Sequence, residues 1–181
     1  MYKSIKPSHT SALCAAILAT FLTACQAQDA TDSVKTAVVT EIVVDDGPDL
    51  EFRGTISGDV LDFKDKLGDD TPAVKQFKKT GKNPYNGNEA VIKNGYTIYS
   101  TACSGCHGHL AEGKLGPALH DDYWTYPGNA LDKGFFETIY GGAQGMMGPQ
   151  QGKLLQDEIL QVMSWVRSIY DGDPKKAKWK K

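Results

Sequence analysis

Cysteine is scarce in this chain of 181 residues, which holds four. Cys14 and Cys25 lie close to the N-terminus, so only Cys103 and Cys106 belong to the body of the protein. No further cysteine remains there to form a disulfide, and no second C-x-x-C completes a zinc site. An excess of one charge is also lacking. Twenty Lys and Arg stand against 22 Asp and Glu, a formal net charge of −2, which gives no bulk attraction for nucleic acid. Long apolar runs are missing. The one apolar stretch near the N-terminus, SALCAAILATFL over 11–22, falls short of the roughly 20 residues of a membrane span. No alternating strand pattern of any length occurs, and there are no internal repeats. The βαβ setting of a thioredoxin-like dithiol is therefore absent, which weakens a thiol-redox reading of Cys103 and Cys106.

What the chain does contain is Cys103-Ser104-Gly105-Cys106-His107. The C-x-x-C-H spacing is the attachment signature of c-type haem. Two thiols three positions apart can each form a thioether to one vinyl group of the same haem, and the adjacent histidine is placed under the iron. One such motif implies one covalent haem c.

Lys3 and Lys6 precede the 11–22 stretch and small residues follow it, so 1–25 reads as a bacterial-type secretory signal. Leu22-Thr23-Ala24-Cys25 is similar to a lipobox, in which a lipidated Cys25 would be the chain's sole membrane attachment. The alternative is plain cleavage just beyond it, for example after Ala27. Both lead to the periplasm, in keeping with a haem attached outside the cytoplasmic membrane.

Residues 26–44 lack helical periodicity and read as a flexible leader. The 45–87 segment is rich in Gly, Pro, Asp and Lys, with apolar anchors at Leu50, Phe52, Ile56, Val60, Leu61, Phe63, Val74 and Phe77. It reads as an irregular arm packed on a core, with a short helix over 72–79 capped by Thr71 and opened by Pro72. An all-α haem domain follows over 88–172. Val91, Ile92, Gly95, Tyr96, Ile98, Tyr99 and Ala102 form an apolar stripe leading to the cysteines. Gly95 weakens that helix, so a crossing helix is expected to approach there closely. The expected partner is the last helix, over 156–170, with Ile159, Val162, Val166 and Ile169 at helical spacing. A shorter helix is expected over 132–140. The Lys-rich tail, 173–181, reads as a solvated, disordered end.

Two loops complete the candidate iron site. Gly116-Pro117-Ala118-Leu119 follows the cysteines, and the Pro117 carbonyl is available to accept the free ring N–H of His107. Met146-Met147-Gly148-Pro149 lies in a Gly-rich loop between the later helices, and a soft thioether sulfur suits low-spin haem iron. Met163, mid-helix, fits core filling. His109 is too close to His107 to reach the opposite face of one haem, and His120 is given no role. Asp121 and Asp122 read as a solvated turn, since calcium needs several more oxygen ligands.

The order of these features resembles class I cytochrome c. The strings Thr80 to Asn86 (TGKNPYN), Thr101 to Gly116 (TACSGCHGHLAEGKLG), Asp121 to Pro127 (DDYWTYP) and Gly141 to Pro149 (GGAQGMMGP) resemble cytochrome c(L). That family accepts electrons from PQQ-dependent methanol dehydrogenase in methylotrophic bacteria. The resemblance implies covalent haem on Cys103 and Cys106 and axial ligation by His107 and Met147, with Met146 as the alternative. It implies haem contacts from Pro117, Leu119 and Trp124. It further implies an electron carrier rather than an enzyme, with methanol dehydrogenase as donor and a second cytochrome c as acceptor. Carriage for another quinoprotein, a small peroxidase or a gas sensor are the rival readings.

Overall fold

A glycine marks the place where the two longest helices meet. The computed structural model describes residues 47–181 apart from Asp65. The secretory signal, the lipobox at Cys25 and the leader lie outside the described residues. Helix α2 (Glu89–Ala102) crosses α5 (Gln156–Ser168), and this is the most extensive contact between helices. A β-carbon on Gly95 would lie 2.1 Å from the Gln161 carbonyl oxygen and 2.6 Å from its carbon. Only a residue without a side chain permits that approach, as its position in the apolar stripe predicts.

Both helices start from identifiable caps. Asn88 accepts a hydrogen bond from the Val91 N–H at 3.3 Å, and the Glu158 carboxylate accepts from the Leu155 N–H at 2.8 Å. Helix α5 is buried at every position from Ile159 to Arg167 except Gln161. The stripe on α2 is narrower than expected. Only Gly95 and Tyr99 are buried, while Tyr96 is 40 % exposed and lies tilted against Trp165 from the outside, with ring centroids 5.2 Å apart. Ala102 is exposed because that end of the helix borders a cavity.

Helix α1 (Pro72–Thr80) and helix α4 (Asp132–Gly141) sit on α5; α4 buries Phe135, Phe136 and Ile139, and α1 carries its expected cap. Thr71 accepts from the Val74 N–H at 3.2 Å. Every regular element among the described residues is helical, apart from one isolated antiparallel bridge between Arg53 and Val60.

The arm joins the core through aromatic rings. Phe52, 1 % exposed, lies 5.5 Å from Phe77, 5.6 Å from Phe63 and 5.7 Å from Phe136 between ring centroids. Not every expected anchor is used. Leu50, Ile56 and Val60 are exposed. A tight turn, with Gly54 N–H bonded to the Asp59 carbonyl and Gly58 N–H to that of Gly54, places Ile56 at its tip in solvent.

The tail also departs from expectation. Ala177 is 1 % and Trp179 9 % exposed, and Trp179 meets Tyr170 edge-on at 4.8 Å. The two apolar residues between the lysines give the segment something to bury, and a Lys176–Asp122 ion pair at 2.8 Å fastens it. Its two short 3-10 turns (Pro174–Lys176 and Lys178–Lys180) are ordered structure and not a solvated end.

Candidate cofactor cavity

Helix α2 ends at Cys103, whose N–H bonds to the Tyr99 carbonyl at 2.8 Å. Cys103 then opens the single-turn helix α3 (Ser104–His107), where the Cys106 and His107 N–H groups donate to its carbonyl at 3.1 and 3.0 Å. This turn presents both sulfurs and the imidazole together. The Cys106 carbonyl next accepts from the Leu115 and Gly116 N–H groups at 3.0 and 2.8 Å. That folds the 115–117 loop against the histidine. A β-carbon on Gly116 would stand 2.6 Å from His107 Cε1, so the loop lies flat on the ring. The Pro117 carbonyl oxygen is 2.9 Å from His107 Nδ1. With the proton on Nδ1 donated there, Nε2 is the ring atom left for a metal. His107 as a whole is 7 % exposed.

Burial, and then the neighbouring Cys106, push the Cys103 thiol up to about 11. A thiol held protonated is a poor nucleophile, so Cys103 is not set up as the attacking thiol of a dithiol oxidoreductase.

These groups line a cavity of about 550 Å³, of the size that takes a cofactor. Cys103, Cys106, His107, Pro117, Leu119, Trp124 and Met147 all stand on its wall, together with Met146. Met147 is half-buried against the core, whereas Met146 is 78 % exposed. The loop bearing them is pinned to α4: Gln150 and Gln151 N–H groups donate to the Ile139 and Tyr140 carbonyls, both at 3.1 Å. Within it the Ala143 N–H donates to the Met147 carbonyl at 2.8 Å. His109 and His120 are not on the wall; His120 Nδ1 instead pairs with Asp171 at 2.8 Å. Asp121 accepts from the Tyr123 N–H at 3.0 Å and Asp122 pairs with Lys176. Among the described residues no three side chains of His, Cys, Asp or Glu gather as a metal site.

Tyr126, which the DDYWTYP string offers beside Trp124 as a pocket aromatic, is on the wall, whereas Asn129, Thr138 and Arg167 carried no signal strong enough to single out. Tyr126 accepts from the Gln144 N–H at 3.0 Å, tying the 123–126 segment to the methionine loop. Asn129 and Thr138, also on the wall, bond to each other at 2.7 Å. Arg167 lies behind the wall, with Nε 3.1 Å from Asp132. Burial pulls its guanidinium below the ordinary arginine value, and the Asp132 carboxylate opposes that shift. Its place among apolar residues in the last turn of α5 was the available clue.

Two thiols, one imidazole and the thioethers of two neighbouring methionines around a single apolar cavity form a fitting donor set for an iron porphyrin. The comparisons with known proteins agree. Residues 90–166 match the family model described as cytochrome C oxidase, cbb3-type, subunit III. Cytochrome c-L of Methylorubrum extorquens is 52 % identical over 130 residues, 71 % of this chain. The match spans 66 % of that relative, just under two thirds of its length. The crystal structure of cytochrome cL from Methylophaga aminisulfidivorans is 61 % identical with a TM-score of 0.70, covering 72 % of this chain and 87 % of that one. The cytochrome cL structure from Hyphomicrobium denitrificans is 49 % identical with a TM-score of 0.70, covering 73 % and 80 %. The chain thus belongs to the cytochrome c-L family of electron-transfer cytochromes, which carry haem c covalently.

Proposed function

We propose that this chain is a periplasmic single-haem carrier that takes electrons one at a time from a PQQ-dependent methanol dehydrogenase, of the calcium or lanthanide type, and passes them to another cytochrome c. Cys103 and Cys106 would hold the haem through thioethers, with His107 and Met147 as axial ligands. When bound, haem c supplies a one-electron couple. The chain's own groups do the rest. The Pro117 carbonyl fixes the orientation of the His107 ring and strengthens it as a ligand. The Met147 sulfur would be the second iron ligand, and a thioether in that role favours the reduced form. Leu119, Trp124 and Phe135 give the wall an apolar surface.

The observation that carries this reading is the convergence of His107 and Met147, forty positions apart, on one cavity wall set. Among the described residues that wall holds no carboxylate and no second histidine, the groups a peroxidase would need for distal acid–base work. Around the cavity Leu115, Tyr123 and Met146 are 69 %, 67 % and 78 % exposed. Apolar groups at such a mouth suit a small, short-lived interface.

Stopped-flow mixing of the oxidised holoprotein with purified calcium-type and lanthanide-type dehydrogenases tests the donor. Rapid second-order reduction by one of them is expected. Reduction by a different quinoprotein, with both methanol dehydrogenases inactive, would overturn the assignment.

A further inference from the structure

Basic residues in the last turn of a helix normally reach solvent. Arg167 does not: its side chain is 2 % exposed. Nε donates to Asp132 at 3.1 Å and Nη2 to the Asn129 carbonyl at 2.8 Å, while Nη1 is buried without a partner. Three aromatic rings surround the guanidinium, with centroids at 4.0 Å for Trp179, 4.8 Å for Phe135 and 5.1 Å for Trp124. Trp124, Phe135 and Asn129 all line the haem cavity, so the cation sits directly behind its wall. Asp132 is not on that wall, and its second oxygen is occupied by Asn83 and Asn86 at 3.0 and 2.8 Å. Trp179, from the C-terminal tail, covers the guanidinium from outside.

A buried cation with an unsatisfied donor is costly, and apolar side chains of similar volume often fill such a place without loss of stability. The arrangement does have an electrostatic consequence. Ferric haem bears one more positive charge than ferrous haem. A poorly screened cation across the wall, held against Trp124 and Phe135 of its lining, therefore disfavours the oxidised form, and the Asp132 carboxylate opposes this. We propose that Arg167, oriented by Asp132 and sealed from water by Trp179, raises the reduction potential of the haem held in this cavity. The proposal rests on the cavity being the haem site and not on the identity of the donor.

Redox titration of the holoprotein with small mediators, without any dehydrogenase, reads this directly. A wrong donor assignment would leave its result untouched. Arg167→Gln should shift the ferric–ferrous equilibrium towards ferric by about tenfold, a fall of about 59 mV for a one-electron couple. Asp132→Asn should shift it the other way. Both variants break the same buried ion pair, so mere loosening of the fold would move both potentials in one direction. Shifts of the same sign, or none beyond twofold, would overturn the proposal. Should either variant fail to yield holoprotein, the tail decides. Trp179→Ala, which lets water reach the guanidinium, should lower the potential by about threefold in the equilibrium, while Trp179→Phe retains it. An unchanged potential in Trp179→Ala would refute the seal and the proposal with it.

Discussion

Replacing Gly95 with alanine sets two effects of opposite sign against each other. In an exposed helix the exchange would stabilise, by roughly 0.5–1 kcal/mol, because alanine loses less backbone entropy on folding. Here the added carbon would lie 2.1 Å from the Gln161 carbonyl oxygen, 2.6 Å from its carbon and 3.2 Å from the Val162 nitrogen. These are backbone atoms and cannot swing aside. They belong to a stretch of α5 flanked by Ile159, Leu160 and Met163, all fully buried. The helices must therefore part by about 1 Å, since real contacts of this kind stop near 3.0 Å. Overpacking of a close-packed core costs about 1–3 kcal/mol. Strain against rigid backbone belongs at the upper end, which leaves a net loss of about 2 kcal/mol after the propensity gain. For a domain of this size that lowers Tm by roughly 8 °C.

The same parting would reach the haem motif. Tyr99, one turn on from Gly95, packs its ring 4.2 Å from that of Trp165 and donates its hydroxyl to the Gly108 carbonyl at 2.8 Å. Thermal unfolding of the holoprotein, followed by far-ultraviolet circular dichroism, measures the sum. A Tm for Gly95→Ala equal to or above that of the parent would refute the crossing, because that is what propensity alone demands.

Further outcomes follow from other contacts. Met147→Ala should abolish the long-wavelength Met–iron absorption band of the oxidised protein, and Met146→Ala should leave it intact; the reverse result would exchange the two assignments. Gly116→Ala must displace either the loop or the His107 ring, given the 2.6 Å approach to Cε1, and should reduce the fraction of protein bearing haem several-fold in a haem-stained gel. Burial alone would raise the Asp70 carboxyl, but hydrogen bonds from Lys66 and Lys78 hold it below its ordinary 3.8. A lowered folded-state value gives stability that is fully present above the ordinary value and is lost as pH falls from there through the folded value. Asp70→Asn should therefore flatten the acid limb of a stability–pH profile. At neutral pH it should cost about 2 kcal/mol, less than the 3–5 kcal/mol of a fully buried pair, because Asp70 keeps some contact with water while Lys78 is left 5 % exposed without its counter-ion.

The parts of this fold that could be read from sequence are those whose signal is local. A thiol pair and histidine within five positions state their chemistry by spacing, and Thr71-Pro72 or Asn88 announce a helix start through bonds spanning three residues. Gly95 was legible because a glycine inside an apolar stripe is a local contradiction, and a close crossing resolves it. The rest depended on which distant segments meet. Nothing near Ile56 or Val60 says that the turn between Gly54 and Asp59 will hold them in solvent. The lysines of the tail outweigh Ala177 and Trp179 in any reading of composition, yet burying two apolar residues against the domain suffices to order the segment. Arg167 shows the difficulty most clearly. Its helical position places it on a core-facing turn, where a cation is unexpected unless something supplies a partner. The partners come from Asp132, 35 residues earlier, and from Trp179 in the tail. A charged residue at an apolar register position thus signals that such a partner exists, although only the folded chain identifies it. In this protein Asp132 and the tail residue Trp179 hold Arg167 behind the wall of the cavity proposed to take the haem, so the least legible part of the fold is also where its electrostatics would bear on that proposal.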